Sequence, residues 1–506
     1  MSQHHHIVIV GGGFGGIGMA VKLLEDGERD FVVLERAADV GGVWRDNSYP
    51  GCACDVHSQV YSFSWALNPT WSRAFSPSAE IWKYLRDVAE RYGVMPHMRF
   101  EHDLREGRWD DDARVWRLDT SQGPMTCDFV VSAVGALSNP SIPKLPGLER
   151  FEGKVMHSAR WDHDHDLRNK NVAVIGTGAS AIQFVPEIQP KVGKLTVFQR
   201  TAPWVVPRGD GAIPERRKRF YARVPAAQRL AREVVYHLRE LTVIPFMRPP
   251  LMRFLQKIAE RHLERQVPDP ELRKKLTPNY TIGCKRILVS DDYLRSLTRP
   301  NVEVVTDGIA EIRERSIVTK DGVEHAIDTI ILGTGFEVTD IAIGKQVFGR
   351  GGKSLTEAWG NSMRAYLGTT VNDFPNLFML LGPNTGLGHN SVVVMIEAQI
   401  EHVRKAIGWM KTQRIATIEP NRAVQDAYVA DIDAKLAGTV WNAGGCASWY
   451  LDATGRNSTL WPGSTIAFRR TVTHFDPSKY DTTKLRERPK ARTNGAATAA
   501  VRGEGP

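Results

Sequence analysis

Two glycine-rich turns, each fed by a short apolar strand, restrict this chain more than any other feature. Ile7-Val-Ile-Val10 runs into Gly11-Gly12-Gly13-Phe14-Gly15-Gly16, and Asn171-Val-Ala-Val-Ile175 runs into Gly176-Thr177-Gly178-Ala179-Ser180-Ala181. In such a turn the first glycine permits the sharp reversal, the second lets the backbone approach a pyrophosphate, and the third small residue lets the helix pack against its strand. The helix N-terminus then faces the phosphates. After the first loop a helical pattern runs through Leu23-Leu24 and stops near Gly27, and a second strand, Phe31-Val-Val-Leu34, ends in Glu35. Strand, loop, helix and acid together make a strong dinucleotide signature where the glycines alone would be weak.

The residue that closes each unit distinguishes the two ligands. Glu35 stands 24 residues after Gly11, and Arg200 stands at the matching place, 24 residues after Gly176. A carboxylate accepts hydrogen bonds from free ribose hydroxyls, whereas a guanidinium grips a 2′-phosphate. The first loop therefore suits FAD and the second NADPH. Candidate FAD contacts are Gly11, Gly13, Phe14, Gly16, Glu35, Gly42, Trp44 and Tyr61. Candidate NADPH contacts are Gly176, Thr177, Gly178, Ser180, Gln183, Arg200 and Thr201.

A chain of 506 residues exceeds one ordinary core and suggests two or three domains. The expected fold is α/β, with two dinucleotide-binding, Rossmann-like domains, the second inserted in the first. Residues 1–145 and 331–483 would form the FAD domain and residues 146–330 the NADPH domain. Gly41-Gly42-Val43-Trp44 and the Asn47–Asp55 stretch, rich in Gly, Pro and aromatics, read as an irregular loop suited to wrapping a flat ring. Ile81–Tyr92 reads as a helix, Val115–Val131 as strand-rich, and Val392–Met410 as a helix of the returning FAD domain. Residues 211–280 read as a helical insert in the NADPH domain, with Phe220, Tyr221, Tyr236, Phe246 and Phe254 expected in its core. Residues 484–506 read as a disordered tail.

The net charge of +9 raises the question of nucleic acid. Residues 211–280 alone hold sixteen Lys/Arg against seven Asp/Glu, which accounts for the whole excess. A near-neutral body with one basic helical segment fits a solvated insert, or a surface for an acidic partner or membrane headgroups, better than a nucleic-acid footprint. No apolar run approaches the roughly 18 residues of a membrane span, and the first strand begins almost at once, so the expectation is a cytoplasmic protein. His4, His5 and His6 read as terminal residues, not as a metal site. Cys52, Cys54, Cys127, Cys284 and Cys446 show no zinc spacing and no C-x-x-C, and their odd number argues for reduced thiols over a disulfide framework.

Between the loops lies Phe151-x-Gly153-x-x-x-His157-x-x-x-Trp161-Asp162. It resembles the fingerprint of the type I Baeyer–Villiger monooxygenases, which use FAD and NADPH. The resemblance extends to Tyr49-Pro50-Gly51-x-x-x-Asp55, Phe198-Gln199-Arg200-Thr201, Lys285-Arg286, Gly333-Thr334-Gly335 and Ser448-Trp449-Tyr450. It implies that NADPH reduces FAD, that O2 adds at the flavin C4a carbon, and that the resulting anionic peroxide attacks a ketone to give an ester or lactone, with sulfoxidation as a side activity. It further implies that Arg286 is the fixed cation beside that anion, that Asp55 holds Arg286 and helps orient the nicotinamide, that Lys285 shares the 2′-phosphate with Arg200, and that Trp449 reaches the cofactor. It places His157 at a domain linker, outside the chemistry. An N- or S-oxygenating flavin monooxygenase and a non-catalytic FAD-binding redox sensor are the alternative readings; Trp161-Asp162 and Arg286 favour the Baeyer–Villiger reading over the N- or S-oxygenating one.

Overall fold

The computed structural model describes residues 3–485. Two sheets organise it. In the first, strands run in the order Val347–Phe348, Leu104–Asp110, Val115–Thr120, Met125–Ser132, Gln3–Val10, Phe31–Leu34 and Met98–Arg99, and Leu377–Met379 also pairs with Met125–Ser132. In the second the order is Val302–Val305, Lys194–Phe198, Asn171–Ile175, Thr329–Leu332 and Lys154–His157, with every pairing parallel. Val172, Ala173 and Val174 are wholly buried, as a parallel strand covered on both faces requires. The strands of the second sheet all lie between 154 and 332, and those of the first come from either side of that span.

Each glycine loop is seated by the same device. The strand neighbouring the loop ends in a carbonyl that fills the space a side chain would need. A Cβ on Gly11, at φ +111°, would lie 2.6 Å from the Ala133 carbonyl oxygen; on Gly176, at φ +106°, it would lie 2.4 Å from that of Gly333. A Cβ on Gly16 would lie 1.8 Å from the Gly11 oxygen, so the third glycine is compelled by helix-on-strand packing.

The strand that feeds the first loop begins earlier than its apolar run suggested: it starts at Gln3, and His4, His5 and His6 belong to it, with His6 Nδ1 2.9 Å from Glu28 Oε2 and His5 Nδ1 3.2 Å from Asp30 Oδ1. The expected helices appear at Ser78–Arg91 and Val392–Gln413. An antiparallel meander, Ile309–Ile312, Ser316–Thr319 and Glu324–Ala326, was not anticipated. Helices Glu215–Arg223, Pro225–Leu241, Val243–Met247, Met252–Gln266 and Pro270–Leu276 form the basic segment. Its expected core is only half right: Tyr236 and Phe246 are buried, but Phe220 and Phe254 face solvent. Lys484 closes the strand Tyr480–Lys484, and the rest of the tail expected over 484–506 lies, from residue 486 on, outside the described residues.

One expectation is overturned. Cys284 and Cys446 form a disulfide, while Cys52, Cys54 and Cys127 are free and buried. Cysteines 162 residues apart are brought together by the fold, a relation that spacing does not carry.

Candidate active site

The first loop opens onto a cleft lined by Gly11, Gly12, Gly13, Phe14, Glu35, Gly42, Trp44 and Tyr61. Gly13 caps the helix Phe14–Glu25 without a side-chain hydrogen bond, which leaves first-turn amides for a ligand. Gly42, at φ +54°, places its Cα against Gly13, so both walls are bare backbone. Glu35 is buried at the far end. Its Oε2 accepts from the Gly12 amide at 2.8 Å and its Oε1 from the Ala37 amide at 3.0 Å, and Arg45 Nη1 lies 3.1 Å from Oε1. The aromatic side of the cleft is cross-braced: Trp44 Nε1 donates to the Tyr61 hydroxyl at 3.2 Å, and Phe14 meets Tyr61 edge-on at 5.3 Å. A glycine-walled cradle, free helix amides and a buried acid for ribose hydroxyls fit FAD.

Ser180 caps the helix Ala181–Ile188 of the second loop, again with no side-chain cap bond. Thr177 Oγ1 donates to the Thr201 carbonyl at 3.3 Å, tying loop to strand end. Arg200 is exposed at the end of Lys194–Phe198. Lys285 faces it closely enough that burial, followed by the charge of Arg200, pulls the lysine's pKa down. Neither cation has an ion-pair partner among the described residues. Two cations within electrostatic reach of each other and without a carboxylate partner fit a phosphate. Gln183 is committed elsewhere: its Oε1 accepts from the Tyr49 hydroxyl (3.0 Å) and the Ala53 amide (3.2 Å), and its Nε2 donates to the Ala53 carbonyl (2.9 Å). It clamps the aromatic loop of the first unit to the helix of the second.

That loop carries Asp55 to Arg286. Arg286 Nε and Nη2 both donate to Asp55 Oδ2, at 2.8 and 2.7 Å, leaving Oδ1 and Nη1 outside the pair. The arginine side chain is 31% exposed and the aspartate 24%. Asp55 holds the guanidinium's pKa above its already high ordinary value, so Arg286 is a permanent cation. Arg208 Nη2 donates to the Cys54 carbonyl at 2.9 Å and fixes the backbone beside Asp55. Burial pushes the Cys54 thiol up, so it stays protonated.

Two residues joined the site without being expected there. Tyr450 is buried beside Arg286; burial pushes its hydroxyl up to about 12, and Arg286 pulls against that rise. Arg239, from the helix Pro225–Leu241, lies within electrostatic reach of Asp55; burial draws its pKa down, and Asp55 opposes this. Tyr450 was legible as the neighbour of Trp449. Arg239 was legible only as sharing a helix face with Tyr236, three residues before it. Trp449 itself is 44% exposed, with its ring 4.4 Å from that of Tyr450. The disulfide joins the residue before Lys285-Arg286 to the residue two before Ser448, so it ties the arginine segment to the Trp449 segment.

The fingerprint is a packing unit. A Cβ on Gly153 would lie 2.5 Å from the Phe151 ring and 2.4 Å from the Asp328 carbonyl oxygen. Lys154 pairs with Asp162, and Trp161 packs on Phe184 at 5.4 Å. His157 is buried, its Nδ1 accepting from the Ala159 amide at 3.1 Å, and burial pushes its pKa down. It pairs in register with Leu332 and makes no hydrogen bond to Asp55 or Arg286.

Two dinucleotide-type glycine loops together with a fixed cation define a flavoprotein oxidoreductase of the two-cofactor type. The model of the flavin-binding monooxygenase-like family matches residues 4–341, and the chain belongs to that family. It stands among its Baeyer–Villiger members: it is 48% identical to the Baeyer–Villiger monooxygenase of Streptomyces coelicolor, over 94% of this chain and 92% of that one, and 48% identical to that of Pseudomonas aeruginosa, over 95% and 92%. Among solved structures, oxidised steroid monooxygenase bound to NADP superposes with a TM-score of 0.85 at 29% identity, covering 96% of this chain and all of the other. The cyclohexanone monooxygenase of Rhodococcus sp. Phi1 bound to NADP+ gives 0.84 at 25%, with the same coverage.

Proposed function

We infer that this protein is a Baeyer–Villiger monooxygenase that inserts one oxygen atom of O2 into a ketone, giving an ester or lactone, at the expense of NADPH. FAD, when bound and reduced by NADPH, supplies the activation of oxygen. The observation that carries the reading is the Arg286–Asp55 pair. A guanidinium held by a single carboxylate oxygen offers a fixed positive charge to an oxygen anion without giving up a proton, which is the electrostatic aid that ketone oxidation needs. Tyr61, which lines the first cleft, is within electrostatic reach of both Asp55 and Arg286, which supports reading the pair as part of the same site.

In this reading Asp55 orients Arg286 and the nicotinamide, and Lys285 and Arg200 select NADPH through its 2′-phosphate. Trp449 covers the cofactor, and His157 positions the segment joining the units without moving a proton. The FAD unit comprises residues 1–145 and 331–483 and the NADPH unit residues 146–330. The partners are a small ketone and O2, with no nucleic acid; thioethers are side substrates. A demand for NADPH supports a cytoplasmic enzyme. No helix among the described residues is long and apolar enough to cross a membrane. The test is to supply the FAD-loaded protein with NADPH, labelled O2 and a cyclic ketone. Lactone carrying one labelled oxygen is expected; oxidation confined to amines and thioethers would overturn the reading.

A further inference from the structure

The helix Pro225–Leu241 is inside out. The face turned into the protein carries Gln228, Arg232, Tyr236 and Glu240, all buried. Each is satisfied there. Gln228 Nε2 donates to the Asn68 carbonyl at 2.6 Å and Arg232 Nη1 to that of Gln59 at 2.8 Å. The hydroxyls of Tyr236 and Thr465 lie 2.8 Å apart, and Glu240 accepts from Asn390 Nδ2 and Thr465 Oγ1, both at 2.7 Å.

The face turned to solvent is the apolar one. Leu230, Val234, Leu238 and Leu241 are 67%, 51%, 60% and 61% exposed, and their spacing lines them up in one stripe. Adjoining helices and turns add Phe220, Ile244, Leu251 and Phe254, the last 76% exposed. With Val224, nine of the fifteen large hydrophobic side chains exposed among the described residues fall between positions 220 and 254. Scattered exposed leucines are ordinary, but a concentration of this kind marks an interaction surface.

The surrounding charge decides what covers it. Between Glu215 and Arg265, ten Lys/Arg side chains are exposed, among them Arg223, Arg229, Arg248, Arg253 and Lys257, against three exposed acids, Glu215, Glu233 and Glu264. A second copy would bring the same positive charge against itself. We propose that this face docks on an anionic lipid bilayer, with the helix Pro225–Leu241 lying in the surface plane, its leucines at the acyl boundary and the flanking arginines on lipid phosphates. The same helix carries Arg239 toward Asp55, so the docked surface and the candidate active site share one rigid element.

The docking stands independently of the ketone chemistry and is tested apart from it. FAD-loaded full-length protein is sedimented with vesicles of phosphatidylcholine alone and of phosphatidylcholine with phosphatidylglycerol, at low and high salt. Binding to the anionic vesicles, weakened by salt, is expected. In the double variant Leu230→Asp/Leu238→Asp, binding should fall by at least about tenfold, because two apolar side chains that would be buried at the acyl boundary become charged. Both side chains face solvent, so the variant's flavin content and NADPH oxidation with a water-soluble ketone should match the parent. Three outcomes would overturn the proposal: no binding to anionic vesicles at low salt, binding that the variant leaves intact, or a concentration-dependent dimer that the variant dissolves.

Discussion

Lys285 and Arg286 are chain neighbours with opposite surroundings. Arg286 is forked onto Asp55, whereas Lys285 lies within electrostatic reach of Arg200, and neither of these two has a carboxylate partner among the described residues. Two like charges held together in this way raise the free energy of the empty site, and a phosphate between them reverses the sign of that interaction. Charged hydrogen bonds of this kind contribute about 1.5–3 kcal/mol each. Lys285→Ala and Arg200→Ala should therefore each raise KM for NADPH by about ten- to hundredfold and leave KM for NADH nearly unchanged. Steady-state kinetics with both cofactors checks this, and an equal rise for both would remove the phosphate from the account.

At the scale of elements, the 22-residue helix Val392–Gln413 holds the C-terminal part of the chain. His402, buried in its middle, lies 2.8 Å from the Val472 carbonyl through Nδ1 and 2.7 Å from the Tyr480 hydroxyl through Nε2. With Nδ1–H donating to the carbonyl, Nε2 accepts from the tyrosine, and the ring is neutral. Burial drives its pKa from 6.5 down to about 4, with the Val472 carbonyl opposing. The folded form thus binds a proton less readily than the unfolded one, so its stability is greatest above pH 6.5 and is lost as pH falls toward 4. Chemical denaturation should show about 2 kcal/mol less stability at about pH 5 than at about pH 7.5 from this group, and His402→Asn should remove that share of the slope. An unchanged slope in the variant would contradict the assignment.

Elements with a strict local signal were legible from sequence, and relations across the chain were not. The loops at Gly11 and Gly176, the helix from Val392 and the Glu35/Arg200 contrast all follow from short-range pattern. Periodicity marked Pro225–Leu241 as helical but could not tell which face turns inward, because its buried face is polar and its exposed face apolar. The Cys284–Cys446 bond and the Gln183 clamp depend on how distant segments meet.

The whole molecule is what makes the central pair. Asp55 belongs to the unit built on the first sheet, and Arg286 to the chain that threads through the second. Gln183 locks the Tyr49–Ala53 loop to the second unit, Arg208 fixes Cys54, and the disulfide ties the arginine segment to the Trp449 segment. The pair therefore exists only when the two units are docked. Removing one fixed group that stabilises a developing anion costs about 2.7–4 kcal/mol of barrier, which in a rate is about a hundredfold or more. The most direct test is rapid-mixing spectroscopy of Arg286→Ala beside the parent: NADPH is added without oxygen, flavin bleaching is followed, then oxygen and ketone are admitted and ester is measured. The account predicts bleaching close to the parent's rate, with ester formation down by at least about a hundredfold and NADPH spent on hydrogen peroxide instead. Ester formed at the parent's rate, or bleaching lost together with it, would contradict the assignment of Arg286 to the oxygen-transfer step.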